Sequence, residues 1–178
     1  MADTTIFASP AQQATQQATP QAAQQTTPQA AASRTDSPHD GRLVVAFICT
    51  HNSCRSQIAE ALATDYARRG VPGFDRFTFV SAGTELKSAI NPDAQRLLLA
   101  HRGIDMAARG QHPKLIADIP RPDIAISMGC GVRCPFIGRP FDDNWGLDDP
   151  TGLPDDEFLA IIDAIDRRVR AIPGTYSH

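Results

Sequence analysis

The chain has 178 residues and a formal net charge of −3, which suits one domain with or without a tail and argues against a general nucleic-acid binder, whose charge is usually basic. It has no apolar run of bilayer-spanning length, and its first basic residue is Arg34 with no signal-peptide core after the start, so the expected location is the cytoplasm, with no membrane partner. Four cysteines in that reducing compartment point to catalytic, redox or metal chemistry rather than to a disulfide framework.

Residues 1–41 differ from the rest. From Ala11 to Ala32 the chain is almost entirely Gln, Ala, Thr and Pro, and prolines recur at Pro10, Pro20, Pro28 and Pro38. Such a stretch buries too little apolar surface to offset the entropy of ordering. The expected organisation is a disordered tail over 1–41 and one domain over 42–178.

From Leu43 the pattern changes. The apolar run Leu43 to Ile48 predicts a strand buried on both faces, and the polar turn Cys49 to Arg55 follows it. A helix is predicted over 56–69, with Ile58, Leu62 and Tyr66 facing inward, Ala59 and Ala63 beside them, and Gly70 as its cap. Residues 77–80 read as a second strand. Asn91-Pro92 reads as the N-cap and first position of a second helix; Leu97, Leu98 and Leu99 are its expected core contacts and Gly103 its end. Residues 123–128 read as a third strand and 141–145 as a short fourth. The last helix starts near Asp155, with Phe158, Ile161, Ile162, Ile165 and Val169 in one stripe. Alternating strands and helices imply an α/β fold, a four-stranded parallel sheet flanked by helices, with ligands at the carboxyl edge of the strands.

The loop Cys49-Thr50-His51-Asn52-Ser53-Cys54-Arg55-Ser56 lies between a buried strand and a helix N-terminus. Backbone N–H groups and the helix dipole favour an anion there. A ring beginning with Cys and ending with Arg can wrap a tetrahedral oxyanion, with Arg55 gripping two of its oxygens as a fork. The same field favours the thiolate of Cys49 as a nucleophile. Ser56 is placed to donate a hydrogen bond to it, and Asn52 to hold the loop in shape. Cys54 is expected to point away from the anion. The loop from Thr50 to Ser56 is therefore the candidate substrate-binding segment.

The run Cys49 to Glu60 resembles the signature of the thioredoxin-coupled arsenate reductases, members of the low-molecular-weight phosphatase superfamily. Val80-Ser81-Ala82-Gly83, Asn91-Pro92 and Trp145-Gly146-Leu147-Asp148-Asp149-Pro150 resemble that family's later segments, so the likeness covers about residues 43–171. It implies a low-molecular-weight phosphatase-like fold, arsenate as substrate, no cofactor and no resident catalytic metal. It also gives Asp149 the role of general acid; Pro150 holds that residue in an extended conformation.

The resemblance further implies a relay of three cysteines. Cys49 attacks arsenate, Cys130 attacks the adduct, and Cys134 resolves the Cys49–Cys130 disulfide. Thioredoxin or a similar thiol reductant then restores the pair. Cys130 and Cys134 are four residues apart, a Cα separation of about 6 Å on one helical turn and within disulfide reach. Their spacing is shorter than in the best-known members. A zinc site and two isolated buried cysteines are the alternatives for these thiols. The family also implies a potassium site formed by residues matching Asn52, Glu60 and Ser81 plus a later Thr and Asp. Lys114 occupies that Asp position, and the expectation is that its ammonium replaces the cation and pairs with Glu60. His51 and His112 carry no assigned chemistry. The competing functions are a tyrosine phosphatase, which would need an aromatic residue after Asp149-Pro150 where Thr151-Gly152 stands, and a non-enzymatic oxyanion or redox sensor.

Overall fold

A computed structural model describes residues 41–129 and 137–177. The tail expected over 1–41 lies, apart from Gly41, outside the described residues, and so do Cys130 and Cys134. Four strands form one parallel sheet: β1 (Leu43–Cys49), β2 (Phe77–Gly83), β3 (Ile124–Ser127) and β4 (Asp143–Asn144), in the order β2-β1-β3-β4. Among the described residues three α-helices accompany them: α1 (Arg55–Arg68), α2 (Pro92–Arg102) and α3 (Asp155–Thr175). None of the described helices is long and apolar enough to cross a membrane.

The central position of β1 explains its composition. It pairs with β2 from Leu43↔Phe77 to Cys49↔Gly83 and with β3 from Val45↔Ile124 to Ile48↔Ser127. Alternate residues then serve opposite faces. Val45 and Phe47 join a large apolar cluster drawn from all three helices, whereas Ala46 and Ile48 join a smaller one with Ala82 and Ile119. Both faces are covered, so every residue from Val44 to Cys49 is buried.

The helices follow their sequence signals, with local shifts. Asn91 caps α2 by accepting from the N–H groups of Asp93 (2.9 Å) and Ala94 (3.1 Å), Pro92 opens it, and Gly103 ends it in the left-handed region at φ 67°. Leu97 and Leu98 are buried, but Leu99 is 51% exposed. Successive helical residues are about 100° apart, so three in a row cannot all face one core. Ile161 is likewise only partly buried, at the edge of the stripe formed by Phe158, Ile162, Ile165 and Val169. Tyr66 of α1 donates to the buried carboxylate of Asp166 on α3, and Arg170 closes on the same group at 3.1 Å. Burial and that hydrogen bond push the Tyr66 hydroxyl up to about 12.

Candidate active site

Cys49 is the last residue of β1 and Arg55 the first of α1, so the intervening loop must turn within five residues. The turn depends on Asn52, the only non-glycine with positive φ among the described residues (47°). Asn visits the left-handed region more readily than most residues because its short amide bonds locally. The side chain is fully buried, and all four of its hydrogen-bonding positions are filled. Oδ1 accepts from the Lys114 N–H (2.7 Å) and from Gln57 Nε2 (2.9 Å), which fixes which end of the amide is oxygen. Nδ2 therefore donates to Ser56 Oγ (2.9 Å) and to Ser81 Oγ (2.8 Å).

That amide orients two hydroxyls. Ser81, already accepting from Asn52, donates to Glu60. Ser56, also accepting from Asn52, has its own proton free for Cys49 Sγ at 3.0 Å. The Asn52 N–H donates to the same sulfur at 3.1 Å. Two hydrogen bonds thus converge on the Cys49 sulfur from behind the loop and fix its position. Gln57 braces it further, donating to the Asn52 carbonyl (3.2 Å) and the His112 carbonyl (2.8 Å).

In front of the sulfur lies a cleft of about 310 Å³, bordered by the loop, Gly129 and the acid segment Leu147, Asp148 and Asp149. Thr50, His51, Ser53, Cys54 and Arg55 border it; Asn52 and Ser56 support it from behind. Cys54 borders the cleft and also belongs to the large apolar cluster. Burial, helped by the charge of Asp149, pushes its thiol up to about 12, so it stays protonated at neutral pH. The His51 side chain turns to Glu85 at 3.4 Å.

Arg55 differs from a free fork. Its Nη1 donates to the carbonyls of Gly129 (3.0 Å) and Leu147 and lies 3.4 Å from that of Met128. Its Nε and Nη2 make no hydrogen bond among the described residues, and two donors on that edge match two oxygens of an oxyanion. The guanidinium thus ties the loop both to the end of β3 and to the acid segment. Trp145 fixes the same segment from the other side. Its backbone N–H donates to the Ser127 carbonyl (2.8 Å) and its ring packs 5.5 Å from that of Phe47.

Asp149 is exposed at the rim of the cleft. Its partial burial opposes ionisation. Hydrogen bonds from Thr151 Oγ1 (2.8 Å) and the Thr151 N–H (3.1 Å), with the nearby charges of Arg55 and Lys87, outweigh that and hold the carboxyl below its usual range. Both Thr151 bonds fall on Oδ1, which leaves Oδ2 for proton exchange.

Behind the loop, Lys114 Nζ lies 3.1 and 3.3 Å from the two oxygens of Glu60, and both side chains are mostly buried. The expected pair is present. An ammonium already holds the carboxylate that a potassium ion would need, so the residues here do not fit that ion. No group of three or more His, Cys, Asp or Glu suited to a metal occurs among the described residues. Lys87, Leu147 and Gly129 also border the cleft, and sequence reading missed all three. Two glycines set close approaches. A Cβ on Gly83 would lie 2.6 Å from the Thr50 oxygen, and one on Gly129 would lie 2.6 Å from the Leu147 nitrogen.

A buried cysteine beneath a strand-to-helix loop, with a guanidinium and a carboxyl bordering the same small cleft, is an arrangement suited to a tetrahedral oxyanion. Residues 44–173 match the low molecular weight phosphotyrosine protein phosphatase family, and the chain belongs to that family. An arsenate reductase of Bacillus cereus is 30% identical over 141 residues, covering 76% of this chain and 98% of the relative. A solved arsenate reductase in the phosphate-binding state superposes with a TM-score of 0.62 at 28% identity, covering 75% of this chain and 98% of that one. A thioredoxin-dependent arsenate reductase from Corynebacterium glutamicum superposes with a TM-score of 0.56 at 32% identity, covering 77% and 63%.

Proposed function

We propose that this protein reduces arsenate to arsenite and serves in arsenic detoxification. The observation that carries the reading is the Cys49 sulfur, held by two hydrogen-bond donors at the floor of a small cleft that Arg55 and Asp149 border. The named activity of the similar reductases supports it. Among the described residues, no phenyl, phenol or indole ring borders the cleft. That favours a small inorganic oxyanion over a phosphotyrosine ring.

Arsenate enters as the dihydrogen monoanion, and Asp149, ionised in the free site, takes one of its protons on Oδ2. The Cys49 thiolate attacks arsenic while Arg55 and the loop N–H groups hold the charge on its oxygens. Asp149 returns the proton to the departing hydroxyl, which leaves as water. The Cys130 thiolate then attacks Cys49 Sγ. The arsenic–sulfur bond breaks with its electron pair remaining on arsenic, which leaves as arsenite, and a Cys49–Cys130 disulfide forms. Cys134 attacks Cys130 and frees Cys49. A dithiol reductant of the thioredoxin kind reduces the Cys130–Cys134 bond by exchange. This relay suits a reducing compartment, and the cytoplasm provides one.

A coupled assay with arsenate, thioredoxin, thioredoxin reductase and NADPH tests the proposal. Sustained NADPH loss is expected for the wild-type chain, with multiple turnover abolished in Cys49→Ser, Cys130→Ser and Cys134→Ser. Hydrolysis of an aryl phosphate lost only in Cys49→Ser, with arsenate inert, would establish a phosphatase instead.

A further inference from the structure

The sequence contains two lysines, and the structure uses them differently. Lys114 is taken by Glu60 behind the loop. Lys87 is exposed, borders the cleft, and has no ion-pair partner among the described residues. Its position is set by backbone bonds. The segment 84–91 is laced onto the outside of the cysteine loop through Glu85 N–H to Thr50 O (2.9 Å), Lys87 N–H to His51 O (3.4 Å) and Asn91 N–H to Ser53 O (2.7 Å). Gly83 enters that lacing at a separation no side chain would permit. A side chain from position 87 is therefore delivered to the mouth of the cleft by the chain's own framework.

Charge gives the position its meaning. The cleft is bordered by two carboxylates, Asp148 and Asp149, and by the sulfur of Cys49. Among the described residues that border it, the cations facing them are Arg55 and Lys87, and the neighbouring imidazole of His51 is engaged with Glu85. Two carboxylates at the rim oppose the pull of the loop N–H groups and Arg55 on an incoming anion, and a second cation at the mouth offsets them. The Lys87 charge already reaches Asp149 and Cys54 inside the cleft.

We propose that Lys87 is a second substrate-binding cation, contacting the outward oxygens of the oxyanion while the loop and Arg55 hold the inward ones. This rests on reading the cleft as an oxyanion site. Lys87 acts on capture and ground-state binding. It makes no contact required for attack by Cys49.

Titration of the full-length reduced chain with inorganic phosphate tests this, using wild type, Lys87→Gln and Lys87→Arg. The expected result is about five-fold weaker phosphate binding in Lys87→Gln, with Lys87→Arg close to wild type. In arsenate turnover the KM of Lys87→Gln rises by about the same factor while kcat holds. Alkylation of Cys49 supplies a readout that a folding defect would not mimic. The rate ratio of iodoacetate, an anion, to iodoacetamide, which is neutral, falls in Lys87→Gln while the iodoacetamide rate itself is unchanged. Phosphate binding by Lys87→Gln equal to wild type, with an unchanged reagent ratio, would overturn the role of Lys87 and leave the oxyanion site standing. A wild-type chain that binds no phosphate would remove the site and this role together.

Discussion

Replacing Lys114 with methionine isolates the ammonium that sits behind the cysteine loop. Methionine keeps most of the stem's volume and removes the charge. The Glu60 carboxylate, whose side chain is 14% exposed, then loses the two contacts at 3.1 and 3.3 Å and keeps only the Ser81 hydroxyl. Stripping one partner from a fully buried pair costs about 3–5 kcal/mol. Here both groups retain some solvent and Glu60 retains one donor, so the expected loss is about 2 kcal/mol. For a domain of this size that lowers Tm by roughly 6 °C. The chain Glu60–Ser81–Asn52–Ser56–Cys49 predicts a catalytic consequence as well, because a carboxylate without its cation pulls on the hydroxyl that Asn52 orients. The assay is urea unfolding together with arsenate turnover in matched potassium and sodium chloride. Wild type should be indifferent to the choice of cation. Lys114→Met should be less stable, slower, and partly restored by potassium. Strong potassium activation of the wild-type chain, or a Lys114→Met variant as stable as wild type, would refute the reasoning.

Alkylation at neutral pH should label Cys49 and spare Cys54, read by mass spectrometry of peptides, because the Cys54 thiol is pushed up to about 12. The same shift bears on stability. A thiol raised from its ordinary 9.0 leaves the folded state fully favoured below about pH 9 and progressively less so as pH climbs toward 12. A Cys54→Ala variant should lose less stability across that alkaline window, read by denaturant midpoints at pH 8 and pH 10.5. Gly83→Ala should cost about 3 kcal/mol and most of the activity, since its Cβ would lie 2.6 Å from the Thr50 oxygen and 2.7 Å from the Glu85 oxygen, both backbone atoms. Thermal unfolding and turnover check this, and a variant with wild-type Tm would disprove the close approach.

What the sequence revealed and what it concealed divide along physical lines. The run Leu43 to Ile48, the Asn91-Pro92 start and the stripe on α3 are local signals, and each produced its element within a residue or two. The strand β4 is only two residues long and lies inside the short segment expected between Phe141 and Trp145. Leu99 misled because composition was counted without helical angle. Within the site, Cys49 and Arg55 were legible from residue type and spacing, and Asp149 and the Lys114–Glu60 pair from a likeness. The carbonyls that occupy Arg55 Nη1 were not, because Gly129 and Leu147 carry no polar side chain to announce a bond made by their backbone. Lys87 was hidden for a related reason. Its place comes from hydrogen bonds between two loops, and neither loop has a periodicity that encodes the meeting.

Asn52 faces two demands that no other amino acid meets together. Glycine would accept the backbone angle and forfeit every side-chain bond. Aspartate would keep the two acceptor contacts but would present a second oxygen, and a charge, to Ser56 and Ser81, reversing the direction in which both hydroxyls point. Serine and threonine reach too short a distance to serve four partners. A directed-evolution library randomised there should return the parental letter alone among active clones.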